Sequence, residues 1–280
     1  MLEDVVPYLV CPYCGGRMAK VDGSLRCESG HTFDIARQGY VSLLPAGWRG
    51  EAGDTAAMVD ARERFLTAGH YELAATRLAA LAEQHRTDSP GCVVDLGAGT
   101  GYYLAAVLER LTDRAGLALD VSKPALRRAA RAHERVGAVA CDIWHGLPIA
   151  DAAAAVVLNV FAPRNAPELA RILHPSGRLL VVTPTSAHLN ELVSALDLVT
   201  VDQNKSRRLA AQLGSSVVRL DQETVTATLR LSHAEVEAFA AMGPSAWHAD
   251  VEELSDRIGR LPEQTAVTLS VTVGVYRRLG

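Results

Sequence analysis

Four residues near the start of the chain have the types and spacing of a metal site. Cys11 and Cys14 are separated by two residues, Cys27 and His31 by three, and twelve residues lie between the pairs. Two thiolates so close in sequence reach one ion from a tight turn, and Gly15, Gly16 and Gly30 suit such turns. Three thiolates and one imidazole close a tetrahedral zinc site with no open position for water, so the metal is structural. A second set of residues has the types to hold a nucleoside. Gly97-Ala98-Gly99-Thr100-Gly101 follows the apolar run Cys92-Val93-Val94-Asp95-Leu96, and a glycine-rich turn after a strand lets a ligand approach the backbone. Asp120 ends the next apolar run, 25 residues after Asp95, where one carboxylate can take both hydroxyls of a ribose. Asp142 follows a third run, Val136–Ala140, where a carboxylate can accept a hydrogen bond from an amino group of the same ligand.

Strand and helix patterns alternate around these residues. The pattern predicts strands over 92–96, 116–120, 136–140, 153–160 and 178–182, in a parallel sheet with helices on both faces. Ligands then sit at the carboxyl ends of the strands. Residues 225–231 and 267–276 alternate with β-branched side chains and suit an antiparallel edge pair. Ahead of the first strand, Met58, Ala61, Phe65 and Leu66 recur at helical spacing after a cap at Asp54 or Thr55. A second helix runs from 72 to 85 and ends before Asp88-Ser89-Pro90-Gly91. The expected domains are a zinc-binding ribbon over 1–44, with short strands near Leu9–Val10 and Leu25–Arg26, a linker with two helices over 45–90, and a nucleotide-binding domain over 91–280. The glycine-rich stretch 45–54 carries Trp48 and Arg49 and reads as a flexible, substrate-contacting loop.

Of the 280 residues, 49% are hydrophobic, enough for a sizeable core, and the net charge of −4 argues against a broad nucleic-acid footprint. Local basic clusters remain: Lys123, Arg127, Arg128, Arg131 and Arg135 along one helix, and Lys205, Arg207 and Arg208 further on. Each is a phosphate contact or a solvated face, and Arg62 and Arg64 favour the solvated reading. Phe161 and Trp247 are either core aromatics or platforms for a flipped base. No apolar run is long enough to span a membrane, and residues 1–10 lack the basic start of a secretory signal. Cytoplasmic location is expected. Cys92 and Cys141 sit in apolar surroundings, so the five cysteines do not read as a disulfide framework.

The third glycine of the loop is at 101, and Tyr102 stands where a dinucleotide fingerprint has its third glycine. With Asp95 ahead of it, the run resembles the first motif of class I (Rossmann-like) methyltransferases. That resemblance implies a mostly parallel seven-stranded α/β sheet and a loop holding the methionine part of S-adenosyl-L-methionine. The resemblance becomes more specific along nearly the whole chain. Cys11-x-x-Cys14, Cys27-x-x-x-His31-x-Phe33-Asp34, Gln38-Gly39-Tyr40-Val41-x-Leu43-Leu44, Gly53-Asp54, Ala68-Gly69-His70-Tyr71, Tyr102-Tyr103, Leu119-Asp120-Val121-Ser122-Lys123, Pro184 with His188-Leu189, and Pro244-Ser245-Ala246-Trp247 together resemble the RlmA-type 23S ribosomal RNA (guanine-N1)-methyltransferases. Residues 159–165, Asn-Val-Phe-Ala-Pro-Arg-Asn, look closest to the second branch of that family, which includes the tylosin-resistance methyltransferase. Ala98 and Thr100 depart from the Cys and Glu of the first branch.

The resemblance implies that Tyr71 and His188 contact the cofactor beside Gly97, Gly99, Thr100, Gly101 and Tyr102. Asn159 stands where amine-methylating relatives face the reacting nitrogen. It further implies a homodimer acting on a 23S rRNA hairpin rather than DNA, with macrolide (tylosin) resistance as a role of the branch. No catalytic base is assigned; residues near Asn159 and His188 are the first place to look. The ribbon and linker are expected to choose the RNA while the core does the chemistry. Two other readings stand beside this one. A small-molecule methyltransferase has no need of a zinc ribbon, and a non-catalytic RNA-binding or assembly protein has no need of an intact loop with Asp120.

Overall fold

Apolar runs bounded by glycine and polar turns become strands wherever both faces can be covered. The computed structural model describes residues 2–50, 53–197, 217–243 and 251–279. A short helix α1 (Leu2–Val5) and a helical turn lead into a small antiparallel sheet of β1 (Met18–Val21), β2 (Ser24–Cys27) and β3 (Thr32–Asp34). Leu9 and Val10, expected in a strand, make only single bridges to Ile149 and Arg17. Then follow β4 (Tyr40–Ser42), α2 (Ala56–Thr67), α3 (Glu72–Gln84), β5 (Cys92–Leu96), α4 (Tyr102–Arg110), β6 (Gly116–Asp120), α5 (Lys123–Ala132) and β7 (Val136–Ala140). The chain continues through β8 (Ala154–Val160), α6 (Ala166–Ile172), β9 (Leu173–Pro184), α7 (Asn190–Leu196), β10 (Val217–Leu231), α8 (His233–Ala241), α9 (Val251–Gly259) and β11 (Thr265–Arg278). No helix among the described residues is long and apolar enough to cross a membrane.

The large sheet has the order β10-β11-β9-β8-β5-β6-β7-β4. The pairs from β9 to β4 are parallel, and β10 and β11 add the antiparallel edge. The seven strands read from the sequence are all present, and an eighth joins them. Tyr40–Ser42, expected in the zinc-binding module, pairs in parallel with Ala138–Ala140. From β5 the chain builds outward through β6 and β7, then returns to place β8 on the other side of β5. The crevice at this switch point, beyond the strands' carboxyl ends, is where open α/β sheets bind ligands.

Alternate residues of the central strands face two cores. Val93, Ala118 and Ala138 pack with apolar residues of α2, α3, α4, α5 and α7. Val94, Leu117, Leu119 and Val139 pack with α6 and with Leu2, Val5, Met18, Leu25 and Phe33 from the N-terminal module. The zinc-binding segment therefore covers one face of the sheet. Gly137 shows how closely, for a β-carbon there would lie 2.3 Å from Val5 Cγ2 and 3.1 Å from Leu2 Cα. Caps set the helices that reach the crevice. Thr55 accepts the Met58 N–H and opens α2, and Ser122 accepts the Ala125 N–H and opens α5.

Candidate functional site

The Cys11–Cys14 turn is closed by two backbone bonds, Gly15 N–H to Cys11 O (2.8 Å) and Cys11 N–H to Gly16 O (2.9 Å). The second pair is closed by Gly30 N–H to Cys27 O and Cys27 N–H to His31 O. Gly15 and Gly30 take the left-handed conformation, at φ 68° and 86°. The four ligand atoms lie within 4.8 Å of one another. His31 Nδ1 is 3.5 Å from Cys11 Sγ and 3.3 Å from Cys27 Sγ, and Cys14 Sγ is 3.6 Å from Cys27 Sγ. A zinc tetrahedron has edges of about 3.8 Å between sulfurs and about 3.5 Å between sulfur and nitrogen. The donors fit a closed zinc site, with His31 offering Nδ1. Tyr13 covers it, its ring 5.2 Å from that of His31 and stacked on Phe33 at 6.0 Å.

At the switch point, β5 ends in the glycine loop. The N–H groups of Gly97 and Ala98 both donate to Leu119 O, and Gly97, Gly99 and Gly101 have φ of 71°, 55° and 79°. Only glycine takes that succession without strain. Thr100 is buried in the loop, and half-buried Tyr102 begins α4. Asp120 faces the loop from the end of β6. Its carboxylate accepts the Gly99 N–H at 2.9 Å and the Ser122 N–H at 2.8 Å. Burial raises its pKa against the pull of those donors. Asp142 accepts three donors: Trp48 Nε1–H (3.1 Å), His145 Nδ1–H (2.9 Å) and the Trp144 N–H (2.9 Å). Burial would raise its pKa, but these bonds together hold it below the usual range.

Asp95 lies at the end of β5, 1% exposed, and its Oδ1 has no partner. Burial first, and the negative Asp120 second, push its pKa up to about 8. The folded chain therefore holds a proton on Asp95 that an unfolded chain releases near pH 4. Stability from this group is full below pH 4 and falls as pH rises toward 8. Asp95→Asn is expected to melt higher than the parent, by more at pH 8 than at pH 5. Equal shifts at both pH values in thermal melts would refute the neutral carboxyl. An unpartnered buried carboxyl oxygen beside a glycine cradle also fits a cationic, hydrogen-bonding ligand such as the methionine end of S-adenosylmethionine.

Tyr71 and His188 meet on the β8 side of the loop. Their Oη and Nε2 atoms are 2.9 Å apart, and His188 Nδ1 accepts the Ser270 N–H at 3.1 Å. Burial lowers the His188 pKa to about 4. The ring is thus neutral at pH 7, and the Ser270 donor fixes its hydrogen on Nε2. His188 donates to Tyr71, whose own hydroxyl hydrogen stays free to donate elsewhere. In this arrangement the one lone pair of the imidazole is occupied, so His188 is not set up as a proton acceptor.

Asn159 is fully buried. Its amide donates to Pro163 O (2.9 Å) and its carbonyl accepts Arg164 Nε–H (2.7 Å), so both side-chain groups are committed to the turn after β8. The structure brings Tyr71, Asp95, Gly97–Tyr102, Asp120 and His188 to one crevice, and sets Asp142 at the neighbouring strand end. Arg62, read from the sequence as a solvated face, stands over the loop. It pairs with Asp54, donates to Met242 O (2.8 Å), and would sit 3.5 Å from a β-carbon at Gly99. Its position four residues after Met58 on α2 gives no signal, because the contact is tertiary. Trp48, expected in a flexible, substrate-contacting loop, turns in to Asp142. The basic helix, expected to run on to Arg135, ends at Ala132. Arg128 on it pairs with Asp60 and Glu63, and Arg135, beyond its end, donates to the carbonyls of Leu108, Leu111 and Arg114. Lys205, Arg207, Arg208, Pro244, Ser245, Ala246 and Trp247 lie outside the described residues.

Comparison with known proteins agrees with both parts of the site. Residues 9–49 match the family model described as RlmA, N-terminal, a zinc ribbon, and residues 93–183 match a methyltransferase domain. The 23S rRNA (guanine(748)-N(1))-methyltransferase of Streptomyces fradiae is 52% identical over 280 residues, covering 100% of both chains. A protein of Micromonospora griseorubida is 50% identical over 99% of both chains. Among solved structures, MccD protein superposes with a TM-score of 0.48 at 13% identity, over 72% of this chain and 96% of that one. A zinc ribbon and a methyltransferase domain matched end to end at this identity place the chain in the RlmA-type 23S rRNA (guanine-N1)-methyltransferase family.

Proposed function

We propose that the chain transfers a methyl group from S-adenosylmethionine to N1 of one guanosine in a 23S rRNA hairpin, the position numbered 748 in the Streptomyces fradiae relative. The observation that carries this is the end-to-end 52% identity with that enzyme. S-adenosylmethionine supplies an electrophilic methyl on its sulfonium. The loop from Gly97 to Tyr102 receives the methionine part, Asp95 and the free Tyr71 hydroxyl hydrogen offer it polar partners, and Asp120 takes the ribose hydroxyls. Asp142 faces the adenine amino group with Trp48 beside it. Asn159 acts one step removed, by shaping the turn after β8, and His188 by orienting Tyr71. N1 lies on the Watson–Crick edge, so the guanine must leave its stack to be reached. Catalysis then rests mainly on holding nitrogen, methyl carbon and sulfur in line. The carbon–sulfur bond breaks as the carbon–nitrogen bond forms, and the sulfur leaves as the neutral thioether of S-adenosylhomocysteine. The N1 proton passes to water, no side-chain base being assigned.

The chain works in the cytoplasm as a homodimer, with 1–44, 45–90 and 91–280 as its functional divisions and tylosin resistance as its physiological role. No disulfide links the five cysteines: Cys11, Cys14 and Cys27 gather as metal ligands and Cys92 and Cys141 are buried, which fits a reducing compartment. N1-methylation removes a Watson–Crick donor, so a modified 23S hairpin should stop reverse transcriptase at one guanosine. Label at another base, or only in a small molecule, would overturn the assignment.

A further inference from the structure

We infer that Phe161 is the platform on which the target guanine stacks, held out from the sheet by a buckle that Asn159 and Arg164 form beneath it. This rests on the RNA reading above and adds the subsite that receives the base. Phe161 is the first residue after β8. Its backbone is in the left-handed region, at φ 53°, and its side chain is 42% exposed. Positive φ strains a residue with a bulky side chain, and an exposed phenyl ring gains little from burial. Neither feature helps the fold, and both present an aromatic face to the crevice.

The turn is fixed from below. The Phe161 N–H donates to Val182 O at 3.2 Å, and buried Asn159 links Pro163 O to the buried Arg164 guanidinium. Ala162 presses on the glycine loop so closely that a β-carbon at Gly97 would lie 2.7 Å from its own. Aromatic rings wall the site. Tyr71 and Tyr103 stand edge-on at 5.9 and 6.2 Å, and the His188 ring lies at 6.0 Å and 23° to Phe161. Sheet order tells which planar ligand this is. The nucleoside-binding carboxylates Asp120 and Asp142 follow β6 and β7, on one side of β5, while Phe161 follows β8 on the other. The glycine loop lies between them. The platform therefore faces the accepting base across the methionine end of the cofactor, and not the cofactor's own adenine.

The test compares Phe161→Asn, which tolerates the left-handed backbone and lacks a ring, with Phe161→Trp, which keeps one. Base stacking on an aromatic side chain corresponds to roughly 5- to 150-fold in binding. Phe161→Asn should lose that factor in kcat/KM on a 23S hairpin RNA, mostly through KM. It should melt no lower than the parent and bind S-adenosylmethionine with unchanged affinity in calorimetry. Phe161→Trp should restore kcat/KM to within a few-fold. A melting temperature several degrees lower in Phe161→Asn would make the ring a core side chain. Weaker cofactor binding would place it in the cofactor pocket, and unchanged kcat/KM would remove it from recognition; each overturns the platform. Failure of the parent enzyme to methylate the hairpin would instead overturn the RNA reading.

Discussion

Replacing Asp120 by alanine is expected to weaken S-adenosylmethionine binding roughly 10- to 100-fold. Hydrogen bonds to a charged group contribute about 1.5–3 kcal/mol, and each 1.4 kcal/mol is tenfold in affinity. The carboxylate lies at the end of β6, one oxygen held by the Gly99 N–H of the loop and the other by the Ser122 N–H that opens α5. Its burial raises the cost of keeping it charged. A ribose with two hydroxyl donors would offset that cost, so the group is worth more with cofactor bound than without. The same substitution should leave a second mark. Asp120 is one of the two causes that raise the Asp95 pKa, so the variant should lose stability less steeply between pH 5 and pH 8. Calorimetric titration reads the first effect and thermal melts the second. Unchanged cofactor affinity in a folded variant would show that the ribose is held elsewhere.

Stripping the zinc is expected to lower the melting temperature of the whole chain by about 10 °C or more, in one transition. Structural zinc contributes of order 10 kcal/mol to small finger domains, and domains of 150–250 residues shift about 2–4 °C per kcal/mol. The metal loss would not stay local. Cys11 and Cys27 lie in the same apolar cluster as Val94, Leu117, Leu119 and Val139 of the large sheet. Loosening the knuckles uncovers that face. Cys14→Ser, or a chelator with the parent chain, should give the same single shift in differential scanning calorimetry. Two separate transitions, with the larger one unmoved, would show that the ribbon melts alone. The shared core also changes how the choice of RNA must be tested. Deleting residues 1–44 takes away β4 and the cover of one sheet face, so lost activity would not isolate recognition. Substitutions at exposed ribbon residues that are not metal ligands, such as Arg17 and Arg26, are the cleaner probe.

The legible parts of this chain were those set by short-range pattern. Zinc ligands declare themselves because the metal fixes both spacing and residue type. The glycine loop and Asp120 do so because strand, turn and carboxylate must follow in order. The parallel strands were readable as apolar runs because both faces are buried. Tyr40–Ser42 was not, since three residues carry no period and their partner strand lies nearly a hundred residues away. The start of β9 is hidden for a related reason. Helix α6 passes into it at Leu173 without a loop, and Pro175-Ser176-Gly177, which reads as a turn before a strand at Arg178, lies inside it. Charges misled most. Arg62, Arg128 and Arg135 look alike in the sequence, and only tertiary structure separates a loop clamp, a surface pair and a residue past the end of α5 that donates to carbonyls at and beyond the end of α4. Asn159 looked like a group facing a substrate, whereas in the buried turn its amide is engaged by Pro163 O and its carbonyl by the Arg164 guanidinium.

The close fit of Leu2 and Val5 over Gly137 has a consequence for the order in which a ribosome releases this chain. The zinc knuckle is complete once residue 31 has emerged, because every ligand and every turn bond lies between Cys11 and His31. The apolar underside of that module is not fully seated until β7 arrives, more than a hundred residues later, and among the described strands β4 pairs in the large sheet with β7 alone. For the interval in between, a metal-closed ribbon with an uncovered greasy face trails from the tunnel. Such exposed surface is what invites misassembly in nascent chains. Early metal capture limits the shapes that face can adopt while it waits, so zinc acts on the vectorial folding of the enzyme before the cofactor site exists.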